Sequence, residues 1–94
     1  MSMLKDKNIP DSDLQTFMAG EFQIILYNDS YNTCEYVITC LMKVFDYSFE
    51  LAKKIMIEAH LKGKTIAQVE SLELALGHSI LLISEGLIVE LEHI

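Results

Sequence analysis

The run Phe22-Gln23-Ile24-Ile25-Leu26-Tyr27 is β-favouring and largely apolar, and it stops at Asn28-Asp29-Ser30, a strong turn signal. From about Thr33 the apolar spacing becomes helical, with Cys34, Val37, Ile38, Leu41, Val44 and Phe45 on one stripe.

The rest of the chain is patterned in the same way. Asp46 to Ser48 break the first helix, and Ser48 caps a second one with Glu50 in its first turn. Ala52, Ile55, Met56 and Ala59 share a face of that helix, which closes at Lys62-Gly63. Lys64 to Val69 is a predicted short strand. Ser71 is the expected cap of a third helix, which runs to about Glu85 with Gly86 as its stop. Residues 87–92 form a last strand that alternates in its second half. The order is β-α-α-β-α-β. Three short strands in a chain of 94 residues cannot be covered on both faces. The expected class is therefore α+β, a small three-stranded antiparallel sheet with three helices packed on one face. Residues 1–20 show no sustained apolar period and are expected to be a flexible tail, with a helical turn possible only at Leu14 to Met18. Residues 21–94 are the expected single domain.

Charge narrows the function classes. The formal net charge is −7, from seven lysines, no arginine and 14 acidic residues. Without arginine, the usual group for bidentate phosphate and base contacts, this balance argues against nucleic acid and anionic membranes. A basic partner or a cationic ligand group fits better. The longest apolar stretches, such as Ile80 to Ile83, are too short to span a bilayer, and Lys5 and Lys7 lead into no signal-peptide core. Cys34 and Cys40 lie on different faces of one helix, so no disulfide and no zinc site is expected, as in a reducing compartment. His60, His78 and His93 have no ligand-like spacing, and no metal is expected.

Three polar residues border apolar surface. Asn28 and Asp29 end the first strand, and His60 sits in the last turn of the second helix, on the face of Met56. An amide oxygen, a carboxylate and an imidazole nitrogen suit a cation with several N–H donors, such as a primary ammonium. Cys34, Val37 and Met56 would wall it. Each piece also has a plainer reading: a turn, a helix-dipole partner, a core stripe. Cys34, His60 and Asp29 could also be written as nucleophile, base and orienter, but no local motif supports catalysis, and Cys34 is better explained as a small apolar residue at a helix start.

These residues resemble the ClpS adaptor family. Phe22 to Tyr31 resembles that family's first strand and Asn-Asp-Asp-Tyr turn, and Glu35-Tyr36-Val37-Ile38 with Leu41 to Phe45 continues the likeness. His60-Leu61-Lys62-Gly63-Lys64 resembles its His-x-x-Gly-Lys, and the pieces keep their spacing from Phe22 to Val69. The resemblance implies a non-catalytic adaptor without a cofactor. Such an adaptor binds N-degrons, free N-termini beginning with Leu, Phe, Tyr or Trp, and delivers them to an ATP-dependent Clp unfoldase-protease, ClpA- or ClpC-like. It further implies a monomer in the bacterial cytosol, with a plastid stroma as the other setting. By position, Asn28, Asp29 and His60 would bind the amino group. Asn32, Cys34, Val37, Met56, Ala59 and Leu87 would line the side-chain pocket, and Glu73 and His78 would stand on the docking surface of the third helix.

The chain departs from the family pattern at Ser30, Thr33 and Cys34, where the family usually has Asp, Pro and a gating Met, and it is shorter after the third helix. A smaller Cys34 predicts shifted selectivity among first residues. The alternatives are a divergent paralogue with a narrower set of degrons, and a protein-interaction module that regulates a protease without binding N-degrons.

Overall fold

A computed structural model of the chain describes residues 20–94; the expected tail and the Leu14 to Met18 turn lie outside them, Gly20 apart. The elements are β1 (Glu21–Tyr27), α1 (Cys34–Phe45), α2 (Phe49–Lys62), β2 (Lys64–Ser71), α3 (Leu72–Ser84) and β3 (Val89–His93). The sheet is antiparallel with β1 in the centre, in the order β2-β1-β3. The α+β expectation and the β-α-α-β-α-β order hold.

Phe22, Ile24 and Leu26 alternate on the sheet face turned to the helices and join Ile38, Leu41, Ala52, Ile55, Ala59, Ala75 and Leu82 in one core. Pairing of β1 with β2 slips between Ile24 and Ile25, whose partners Gln68 and Ile66 skip Ala67. Ala67 is thus the extra residue of a bulge, buried in the core, and its carbonyl accepts from Tyr47 Oη at 2.7 Å.

Capping explains where the helices begin. Thr33 Oγ1 accepts from the Tyr36 N–H, and Ser48 Oγ from the Leu51 N–H. Ser71 holds the cap position of α3 without a side-chain cap bond and is also the last residue of β2. The second strand thus runs two residues past Val69. The last one starts at Val89 rather than Leu87, since the Leu87 N–H still turns back to the Leu82 carbonyl at 3.0 Å. In α1 the buried cysteine is Cys40, and Cys34 is exposed.

The end of α3 is gripped from α1. Tyr36 Oη donates to the Glu85 carbonyl at 2.6 Å, and Lys43 pairs with the Glu85 carboxylate at 2.5 Å. The Cys40 thiol and the Glu85 carboxylate beside the Tyr36 hydroxyl push its pKa up to about 12.

Candidate functional site

The site forms where the end of β1 meets the start of α1 and the end of α2. Gly63 closes α2 with φ 87°, a left-handed conformation natural to glycine, and its N–H returns to the Ala59 carbonyl at 2.8 Å. Its own carbonyl accepts from the Asn28 N–H at 2.9 Å. That backbone bond, continuing the pairing of Tyr27 with Lys64, sets the last turn of α2, with His60, against the end of β1.

The turn after β1 is organised by Asp29. Its Oδ1 accepts from the backbone N–H groups of Tyr31 and Asn32, both at 2.8 Å, and its Oδ2 accepts from Asn32 Nδ2 at 3.1 Å. Burial alone would raise the Asp29 pKa, but these three bonds outweigh it and hold the carboxyl below its ordinary value. Asn32 Nδ2 also donates to the Gly86 carbonyl at 3.0 Å, so the turn is moored to the corner between α3 and β3. Both amide hydrogens of Asn32 are spent, which leaves its Oδ1 as an acceptor.

A cavity of about 200 Å³ opens here, lined by Asn28, Asp29, Asn32, Cys34, Val37, Met56, Ala59 and His60, with Leu26, Tyr27 and Thr33 completing the wall. Eight of the nine residues expected at the amino-group site and pocket meet around it. The ninth, Leu87, does not: it is 3% exposed in the core against which Val37 and Met56 pack, and it does not line the cavity. Three wall residues lay outside the expected set: Thr33, which the sequence marks only as the point where the helical period begins, and Leu26 and Tyr27, which read as ordinary strand.

Chemically, the rim offers acceptors and the interior offers hydrocarbon. The Asn28 amide and the His60 imidazole make no side-chain hydrogen bond among the described residues, so both are available to a donor. Asp29 keeps its negative charge and one remaining acceptor direction on Oδ2. No hydrogen bond joins Cys34 to His60 or His60 to Asp29, so the three are not wired as nucleophile, base and orienter. Among the described residues no group of His, Cys, Asp or Glu is placed to hold a metal ion.

The two docking candidates on α3 diverge. Glu73 is exposed in the first turn. His78 points inward: Nδ1 lies 2.5 Å from Glu70 Oε1, and its ring meets Phe45 edge-on at 4.8 Å. What α3 presents outward instead is aliphatic, with Leu74, Leu76, Ile80, Leu81 and Ile83 all exposed. No helix among the described residues is long and apolar enough to cross a membrane.

The chain is thus built as two layers with a polar-rimmed apolar cavity at one end of its sheet. Residues 18–81 match the family model described as "ATP-dependent Clp protease adaptor protein ClpS". The ATP-dependent Clp protease adapter protein ClpS of Cronobacter sakazakii is 41% identical over 81 residues, covering 78% of this chain and 76% of that one. Its counterpart in Lawsonia intracellularis is 44% identical over 54 residues, covering 57% of this chain and 50% of that one. The chain thus spans about half the length of one of these curated relatives and three quarters of the other. The structure of Agrobacterium tumefaciens ClpS2 bound to L-phenylalaninamide superimposes with a TM-score of 0.70 at 25% identity, covering 80% of this chain and 98% of that one. The chain belongs to the ClpS family.

Proposed function

We propose that this chain is an adaptor that binds the free N-terminus of a protein with a large hydrophobic first residue, Leu, Phe, Tyr or Trp, and delivers it to an ATP-dependent Clp unfoldase-protease. The observation that carries the reading is the convergence of Asn28, Asp29 and His60 on a cavity walled by Val37, Met56 and Ala59. An α-ammonium group donates to such acceptors; a blocked or internal amide has too few N–H groups and no charge. At about 200 Å³ the cavity is smaller than the pockets that enclose whole drug-sized ligands and suits one side chain. That the related ClpS2 was solved with L-phenylalaninamide, a free amino group on one large apolar residue, supports the same assignment here.

Charge-assisted hydrogen bonds contribute about 1.5–3 kcal/mol each, and burial of one large apolar side chain a similar amount. After ordering costs, the affinity expected is about micromolar, which permits release to the protease. The protein binds and hands over, with no reaction and no cofactor of its own, and works in a reducing cytosol. Glu73, exposed at the start of α3, is the residue offered to a ClpA- or ClpC-like unfoldase.

Fluorescence anisotropy with short peptides beginning in Leu, Phe, Tyr, Trp, Ile or Ala, beside N-acetylated controls, tests the reading. Binding that needs both a free amino group and a large apolar first residue, and that is lost in an Asp29→Ala, His60→Ala variant, is the expected result. No binding to any peptide by folded protein would mean a ClpS fold that has kept only protein-interaction duties.

A further inference from the structure

The cavity has a neighbour. A second concavity of about 390 Å³ lies between α1 and α2, lined by the apolar Ile38, Met42 and Phe49 and by Glu35, Thr39 and Lys53. Cys34 and Met56 line both hollows and form the ridge between them. Cys34 is exposed at the first turn of α1 and carries only a short side chain, so the ridge is low on that side. The groove's lining is mostly apolar, and its two charges are of opposite sign. Met42 and Phe49 are 36% and 49% exposed, hydrocarbon that the fold leaves uncovered beside the cavity.

We propose that this groove receives the third side chain of the polypeptide whose first side chain fills the cavity, and that it prefers an apolar one. The proposal rests on the N-terminus-binding reading above. Its register follows from chain geometry. An extended chain points alternate side chains to the same side and advances about 3.3 Å per residue. A first residue pointing into the cavity therefore turns the second away and carries the third about 7 Å on, towards the adjoining hollow. The chain crosses the Cys34–Met56 ridge between them. The opposed charges of Glu35 and Lys53 give a charged third residue no net advantage, whereas Ile38, Met42 and Phe49 favour hydrocarbon.

The test uses L-phenylalaninamide, which occupies the cavity alone, and four peptide amides: Phe-Ser-Ser-Ser, Phe-Leu-Ser-Ser, Phe-Ser-Leu-Ser and Phe-Ser-Ser-Leu. Each is titrated against the wild type and against Met42→Ser and Phe49→Ser. Both replacements lie on the surface, and a thermal melt checks that the fold is kept. Leu at the third position is expected to tighten binding about three- to tenfold over the all-Ser peptide. Both variants should lose that gain and bind L-phenylalaninamide as the wild type does. Equal affinities for all four peptides, a gain at the second or fourth position instead of the third, or a third-position gain that survives both variants would overturn the groove assignment. Failure of L-phenylalaninamide and all four peptides to bind would overturn the cavity reading itself, and the groove with it.

Discussion

Asp29 and Asn32 hold each other through two separate contacts, the Asn32 backbone N–H on Oδ1 at 2.8 Å and the Asn32 amide on Oδ2 at 3.1 Å. Asp29 is therefore the architect of its turn as well as a proposed ligand. His60, exposed and without a hydrogen-bond partner among the described residues, has no such structural duty.

The two residues should part company under substitution. Asp29→Ala is expected to lower stability by about 1–2 kcal/mol, as loss of a capping carboxylate does, and to abolish peptide binding as well. His60→Ala should change stability by less than about 0.5 kcal/mol while weakening binding of a Phe-initiated peptide at least tenfold. Urea unfolding and anisotropy on the same samples separate the two effects. Equal stability losses would contradict the geometry.

Acid should reveal the same carboxylate. Its pKa in the folded state lies below its ordinary value, so its stabilisation is fully present above about pH 4 and is lost as pH falls through the folded value. The stability gap between the wild type and Asp29→Asn should therefore shrink between about pH 5 and about pH 2. A gap constant over that range would show that the charge contributes nothing to the turn.

Selectivity should answer to Cys34. It lines the cavity with a smaller side chain than Met, so the wild type is expected to reject Ile- and Val-initiated peptides less strictly than Cys34→Met does. Titration of both proteins against one peptide series decides it. Identical rankings would remove Cys34 from the selectivity determinants.

Thiol chemistry offers an independent view of the cavity. Cys40 is 2% exposed and burial pushes its thiol up, whereas Cys34 is exposed at the cavity wall. A thiol probe should label one cysteine in the native protein and two in denaturant, and L-phenylalaninamide should slow the native reaction. Native labelling of Cys40 at a similar rate would contradict the packing of α1.

Ser79 is a weak point of the core. Its hydroxyl is buried on the inner side of α3 with no hydrogen-bond partner among the described residues. Ser79→Ala removes an unsatisfied group and improves helix propensity, and should raise stability by about 1 kcal/mol in denaturant unfolding. A loss would mean that the hydroxyl is satisfied in solution.

Much of this was legible in the chain because it depends on local rules. The β period of Phe22 to Tyr27, the helical stripe of α1, the Ser48 cap and the Gly63 stop each follow from their own neighbours. The misreadings involve residues decided by distant contacts. Leu87 enters the core because its N–H still bonds into the end of α3. His78 is drawn inward by Glu70 and Phe45, two elements away from each other in sequence. Cys40, off the expected stripe, is buried in the core, with the Tyr36 hydroxyl and the Glu85 carboxylate near it. Local pattern likewise placed Asp29 at a turn, yet only the folded loop shows its carboxylate occupied by Tyr31 and Asn32.

The bond from the Asn28 N–H to the Gly63 carbonyl joins the two halves of the cavity through main-chain atoms alone. That fastening uses no side chain, whereas Asp29 and Asn32 serve both the turn and the cavity wall. On the proposed reading, exchanges at Cys34, Val37 or Met56 would retune recognition while the joint between strand and helix stays fastened. After a gene duplication, such a scaffold lets two copies diverge in taste before either loses its shape.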